Sequence, residues 1–226
     1  MSIDVNRGQI VELFPRPVVY YRLPDDKFEI LQSIATKVKE NRKEYTHVHN
    51  PHNGKLSHFL DNSDDNIFDQ FDIGWYKSWL EECAKDFVEN VKGLTLHGSD
   101  MQCVHCWMNQ ADRMAHQYVH NHTCSIVSGT HYIHFDKSKN QPLSFYNPWV
   151  NQGPLQPSLD LQWKEHTRYN YPSIQVVPDE GDLILWDSNI YHGYDIDVVG
   201  DRTTFSMNFM PYRMMYGNYG FSLVRD

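Results

Sequence analysis

The rhythm of hydrophobic and polar positions changes near residue 101. Before that point two stretches carry apolar residues at helical spacing. After Leu23-Pro24-Asp25-Asp26, apolar side chains recur at Phe28, Ile30, Leu31, Ile34 and Val38, which predicts a helix running to about Asn41. A second amphipathic helix is expected over roughly 75 to 92, with Trp75, Trp79, Leu80, Cys83, Phe87 and Val91 on one side and Gly93 or Gly98 ending it. IVELFPRPVVYYR, residues 10–22, reads as an extended entry strand broken by Pro15 and Pro17. The polar, His-, Asn- and Asp-rich stretch 43–65 reads as a long loop.

From 101 onward the runs are short, apolar or alternating, and separated by turn residues: MQCVHCWMN, SIVSGTHYIHF, PLSFYNP, SIQVVP, DLILWD and TTFSMNFM. That is a strand pattern. With no repeat, low-complexity tract or linker, residues 1–226 are expected to form a single domain: 1–100 as an N-terminal strand with helical support, and 101–226 as a β core. The fold class is α+β.

Composition narrows the function classes. Aromatics reach 14%, with 14 Tyr and 6 Trp, which favours β structure. The net charge of −9 and the lack of a basic run disfavour bulk nucleic acid as a partner, since that affinity comes from clustered Lys and Arg. No apolar stretch is long enough to span a bilayer, and the N-terminus lacks the basic and apolar regions of a signal peptide. Cys83, Cys103, Cys106 and Cys124 are expected as thiols in a cytoplasmic protein.

The chemistry concentrates in PDEGDLILWDSNIYHGYDIDVVGDRTTFSMNF, residues 178–209. Gly181 precedes a buried-looking strand, a turn follows, and then come His192 and Arg202. A His at a strand edge can ligate a metal, and an Arg on the adjacent strand can point into the same barrel and pair bidentately with a carboxylate. Thr204 shares the face of Arg202. Upstream, two pairs have i, i+2 spacing: His120 with His122, and His134 with Asp136. Two His and one carboxylate is the ordinary non-haem Fe(II) triad, so the chemistry by itself prefers His134 and Asp136 with His192. Cys103-Val104-His105-Cys106 resembles half a zinc site, but no second half accompanies it, and packing is the expected role. His47-Val48-His49 is expected in a loop, and Trp186 in the core.

LFPRPVVYYRLPD, HNHTCSIVSGTHYI, and EGDLILWDSNIYHGYDI followed by DRTTFSMNF together resemble the 2-oxoglutarate- and Fe(II)-dependent oxygenases. They most resemble a group with prolyl-hydroxylase-like cores found often in phages and marine bacteria. The resemblance covers most of the chain. It implies a double-stranded β-helix, a cupin-like jelly roll, flanked by N-terminal helices. It implies Fe(II), 2-oxoglutarate and O2 as cofactor and co-substrates, and hydroxylation of a peptide or small molecule with release of succinate and CO2. It places His120 and His122 in the position of the first metal motif, with His192 as the last ligand. His122 then stands where the common pattern has Asp, and a triad built on His134 and Asp136, or a mixed set such as His120 with Asp136, stays open. Arg202 would hold the distal carboxylate of the keto acid, with Thr204 and Tyr132 as further contacts; Tyr146 is an alternative to Tyr132. Rival expectations are a three-His oxygenase that uses no keto acid and a non-catalytic cupin-like binding module. Segments 43–65 and 149–172 are expected to shape a substrate groove. If the chain is phage-encoded, its location would be the host cytoplasm.

Overall fold

The computed structural model describes residues 15–45, 47–49, 54–61, 66–147, 164–165, 167 and 169–224. Two antiparallel sheets face one another, and helices cover the outer face of the larger. That sheet has seven strands in the order β1 (Val19–Arg22), β9 (Asp182–Asp187), β6 (Val127–His134), β11 (Arg202–Pro211), β4 (Met101–Ala111), β3 (Leu56–Phe59) and β2 (His47–His49). The smaller has four: β5 (Ala115–His120), β10 (His192–Asp197), β7 (Leu143–Tyr146) and β8 (Ser173–Val176). This is the expected double-stranded β-helix.

The two-residue period of the strands sorts side chains between helix and barrel. In β11, Phe205, Met207 and Phe209 join the core beneath the helices, while Thr204 and Ser206 face the barrel. In β9, Leu183 and Leu185 face the helices, whereas Ile184 and Trp186 pack between the sheets with Tyr132, Leu143 and Phe145. In β4, Cys106 and Met108 face the helices; Trp107, Asn109 and Ala111 face the barrel. Cys103 and Cys106 are therefore packing residues of the helix-facing core.

The helices form where the periodicity places them. α1 (Asp25–Glu40) starts after Pro24, carries Asp25 and Asp26 in its first turn and Lys37 and Lys39 in its last, and buries Leu31, Ala35 and Val38. Those end charges oppose the helix dipole. The second helix is α3 (Gly74–Asp86), which continues through a π-helical turn, Phe87–Val91, and stops before Gly93 at φ +64°. A short α2 (Ile67–Gln70) precedes it, and the Asn66 side chain accepts the Phe68 N–H.

One expectation needs correction. The stretch 43–65 is not all loop, because β2 and β3 add two strands to the edge of the larger sheet, paired His47↔Phe59 and Leu56↔Ala111. Their shortness within a polar stretch hides them; β3 pairs with β4, and β2 with β3. The chain also ends in a hairpin, β12 (Arg213–Tyr216) with β13 (Tyr219–Ser222), that the sequence reading did not foresee. Of the expected groove aromatics, Trp149 and Trp163 lie outside the described residues, while Tyr169 and Tyr171 are exposed. No described helix is long and apolar enough to cross a membrane.

Candidate metal centre

His192 opens β10 and His120 closes β5, and the two are direct cross-strand partners. His122 lies two residues past the end of β5. Its imidazole stacks nearly parallel to that of His192, at 5° and 5.2 Å between centroids. One ring nitrogen from each of His120, His122 and His192 lies within 4.8 Å of the other two, the one such group of His, Cys, Asp or Glu among the described residues. The Nε2 atoms of His122 and His192 are 3.3 Å apart. Two nitrogens at right angles around a first-row divalent ion, each ~2.1 Å from it, would stand ~3.0 Å apart.

Hydrogen bonds fix how two of these rings present themselves. His192 Nδ1 is 2.9 Å from the Ile190 carbonyl oxygen, and His120 Nδ1 is 2.9 Å from that of Tyr118. A carbonyl only accepts, so each Nδ1 carries the proton and each Nε2 keeps its lone pair for a metal. Burial, reinforced by the neighbouring imidazoles, lowers the His192 pKa to about 3 and that of His122 to about 4. The pKa of His120 is lowered too, again chiefly by burial. All three are neutral donors at pH 7. Trp186 meets His192 edge-on at 4.9 Å, and Trp107 lies 6.1 Å from His122.

The same cavity holds Arg202, which is 4% exposed. Its guanidinium lies 3.9 Å over the Tyr194 ring. Nη2 donates to the Tyr132 hydroxyl at 3.4 Å, but Nε and Nη1 are buried with no hydrogen-bond partner. A buried cation with two unused donors is costly unless an anion completes it. A planar fork of this kind matches a carboxylate. Between Arg202 and the histidines runs a polar ladder. Trp107 Nε1 donates to Asn109 Oδ1 (3.0 Å), and Asn109 Nδ2 reaches Thr204 Oγ1 (3.3 Å) and Ser206 Oγ (2.7 Å).

Of the residues singled out in the sequence, His120, His122, His192, Arg202 and Thr204 line this cavity. Tyr132 is fully buried and touches it through its hydroxyl on Arg202. The alternative pair is placed elsewhere, which corrects that option. His134 ends β6 beside Thr36 of α1, 3.5 Å away. Asp136 sits in the following turn, accepting from Ser138 and paired with Lys139. The i, i+2 spacing is the same in both pairs; of their two strands, β5 pairs with β10 and β6 does not. Asn109 and Tyr194 were missed. The alternation in MQCVHCWMNQ is the signal that puts Asn109 in the barrel, opposite Thr204.

A protein-family model described as "Putative 2OG-Fe(II) oxygenase" matches residues 105–208, which contain all of these cavity residues except those of β3. No curated protein matches. Among solved structures, a Pseudomonas putida prolyl-4-hydroxylase is 13% identical, with 86% of this chain and 92% of that one covered at a TM-score of 0.56. The epimerase SnoN from nogalamycin biosynthesis, in complex with Fe3+, alpha-ketoglutarate and nogalamycin RO, is 10% identical, with 92% and 89% covered at 0.59. HygX from Streptomyces hygroscopicus, with nickel, 2-oxoglutarate and hygromycin B bound, is 11% identical, with 87% and 83% covered at 0.53. At such identities these likenesses speak to the fold. The family match across the site-bearing segment, together with this fold, makes the chain similar to the 2OG-Fe(II) oxygenases.

Proposed function

We propose that His120, His122 and His192 hold the iron of this 2-oxoglutarate- and Fe(II)-dependent dioxygenase, and that Arg202 holds the distal carboxylate of the keto acid. The observation that carries the reading is the buried Arg202 fork, with Nε and Nη1 unpartnered, in the same cavity as three converging imidazoles. When bound, Fe(II), O2 and 2-oxoglutarate supply the oxidising chemistry: the keto acid loses CO2 to become succinate, and an oxygen atom is delivered to the substrate.

The chain's own part is to bind, orient and keep dry. His120 and His192 present Nε2 in a fixed tautomer, and His122 adds the third nitrogen from the loop after β5. Three protein nitrogens leave the remaining positions open for co-substrate and O2. Arg202, levelled on Tyr194 and steadied by Tyr132, fixes the far end of the keto acid, with Thr204 beside it. Trp107, Leu143 and Trp186 line the cavity with apolar surface and exclude water. The protein's ligand set is neutral, carrying one less negative charge than the usual triad with a carboxylate.

The substrate we propose is a small molecule or a peptide; among the similar structures are a prolyl-4-hydroxylase and two that hold nogalamycin RO and hygromycin B. We read residues 1–226 as one domain, with 1–100 supporting the barrel, and propose a cytoplasmic location. A buried guanidinium in the same cavity as three imidazoles favours a ligand that is anionic at one end, as 2-oxoglutarate is, over an oxygenase with a small uncharged substrate. The test is anaerobic: Fe(II) and then 2-oxoglutarate are added to the apo protein, and the visible spectrum is followed. A weak metal-to-keto-acid charge-transfer band, needing far more keto acid in Arg202→Ala, is expected. Bound iron without a band would overturn the keto-acid reading.

A further inference from the structure

His122 is not on a strand. β5 ends at His120, and a ligand on a loop would by itself be held loosely. Ser188, in the turn between β9 and β10, meets that loop in three ways. Its carbonyl accepts the N–H of His122 itself at 2.9 Å. Its N–H donates to the Ile126 carbonyl at 3.2 Å. Its hydroxyl lies 2.9 Å from Ser125 Oγ and 2.8 Å from Ser128 Oγ. Ser128 in turn donates to Asn208 Oδ1 at 2.8 Å.

The protons of this cluster can be counted. There are three hydroxyl hydrogens and one atom, Asn208 Oδ1, that only accepts. Ser188 Oγ accepts from Ser125 Oγ at 2.9 Å and stands 2.8 Å from Ser128 Oγ in accepting geometry, while Ser128 is equally placed to donate to Asn208 Oδ1 at 2.8 Å. Ser188 is thus the acceptor on which the other two serine hydroxyls converge. Ser128 and Ser188 are each 1% exposed, so an unmade bond there could not be replaced by bulk water. The turn is anchored on its other side, because Asp187 pairs with Lys92 and Arg16. Four residues beyond Ser188 comes His192.

We infer that Ser188 is a positioning residue for the metal centre: it clamps the loop carrying His122 to the turn that leads into His192. The clamp acts on one ligand of the three, since His120 and His192 are already set by pairing of β5 with β10. This rests on His122 being a ligand. Its signature is non-additivity, which a merely structural role would not produce.

The experiment measures Co(II) affinity by competition with a chelator, in four full-length proteins: wild type, Ser188→Ala, His122→Ala and the double variant. Loss of a residue that orients a ligand costs ~10–100-fold in metal affinity. Ser188→Ala should show that loss against wild type and almost none in the His122→Ala background. Ser125→Ala, at the more exposed of those two serines, should show a smaller loss with the same dependence on His122 and serves if Ser188→Ala folds poorly. An equal loss with and without His122, or no loss at all, overturns the positioning role while leaving the ligand set intact. Unchanged Co(II) affinity in His122→Ala overturns the ligand set, and the clamp with it.

Discussion

Replacing Arg202 by Met isolates what the guanidinium does. Met is unbranched and apolar but two atoms shorter, so it fills the space of the arginine stem while the charge and the fork disappear. Two donors, Nε and Nη1, are buried and unused, which leaves room for a two-point bond to a carboxylate. Removing one partner of a buried, hydrogen-bonded charge pair costs about 3–5 kcal/mol. At about 1.4 kcal/mol per decade, half-saturating 2-oxoglutarate should rise by roughly two to three and a half orders of magnitude. The assay is the anaerobic titration of the Fe(II) protein by its charge-transfer band, repeated with 2-oxopentanoate, in which a methyl group replaces the distal carboxylate. Wild type and variant should bind 2-oxopentanoate alike, because Arg202 has nothing there to hold. Apo Arg202→Met should melt no lower than wild type, since a buried cation without a counter-ion is replaced by an apolar chain. A variant that binds 2-oxoglutarate within about threefold of wild type, or loses both keto acids equally, would refute the reasoning.

Other consequences are open to direct measurement. His131 is fully buried, 2.9 Å from the Tyr76 hydroxyl, and burial lowers its pKa to about 3. The unfolded imidazole, with a pKa near ~6.5, takes up a proton that the folded one refuses, so stability is full above that value and falls as pH drops towards 3. Denaturant midpoints of wild type and His131→Phe between pH 6 and 4 should therefore differ in slope by about one proton, or ~1.4 kcal/mol per pH unit; parallel curves would exclude it. A methyl group at Gly193, next to His192, would lie 2.6 Å from the Gln117 carbonyl oxygen of β5. Gly193→Ala should push β5 from β10 and lower both thermal stability and Co(II) affinity, and a fully stable variant with normal affinity would contradict the close pairing. Asp136→Asn and His134→Ala should retain full iron content, measured after anaerobic loading and desalting; iron loss in either would return that pair to the ligand set.

How far the site was legible follows from which signals are local. DLILWD is buried at all six positions, and the turn after it, His192 and Arg202 follow in fixed order, so the sequence alone could bring the proposed metal ligand and the proposed keto-acid anchor into one barrel. The first ligand pair was not so legible. His120-Asn121-His122 and His134-Phe135-Asp136 have identical spacing, and the chemistry of carboxylates favoured the second. What separates them is which strand lies beside β10, a long-range pairing that no local pattern encodes. Even the reason offered for i, i+2 spacing, a shared strand face, holds for neither pair here: His122 and Asp136 both lie past their strand ends. Resemblance to a family put His120 and His122 in the motif position, and it is these two that the structure brings beside His192. Tyr194 was missed because an aromatic on a strand is more often packing than contact, and nothing local says that Arg202 will lie over its ring.

β2 and β3 make the same point from the side of the fold. They lie within a polar stretch, and β3 offers only four positions, two apolar and two polar, too short to stand out. They become strands because β4 presents an unpaired edge, and His58 then falls opposite Asn109 inside the barrel. The region read as loop thus contributes wall to the metal cavity, through Leu56 and His58. Burial lowers the pKa of His58, so this wall adds another neutral imidazole beside the three proposed ligands. A cavity whose nearest protein donors are all uncharged, closed at one end by a lone guanidinium, has a positive interior before any ligand enters. A metal dication adds to that charge, and the three imidazoles subtract nothing from it. The dianion of a dicarboxylic keto acid balances it at two points, one carboxylate at the metal and one at Arg202. Affinity for the metal and for the keto acid should therefore be coupled more strongly here than in a site that already holds an anionic ligand. Fe(II) retention measured with and without 2-oxoglutarate, in wild type and in His122→Asp, tests that coupling: it should weaken when the carboxylate is introduced, and an unchanged or larger coupling in His122→Asp would refute the charge argument.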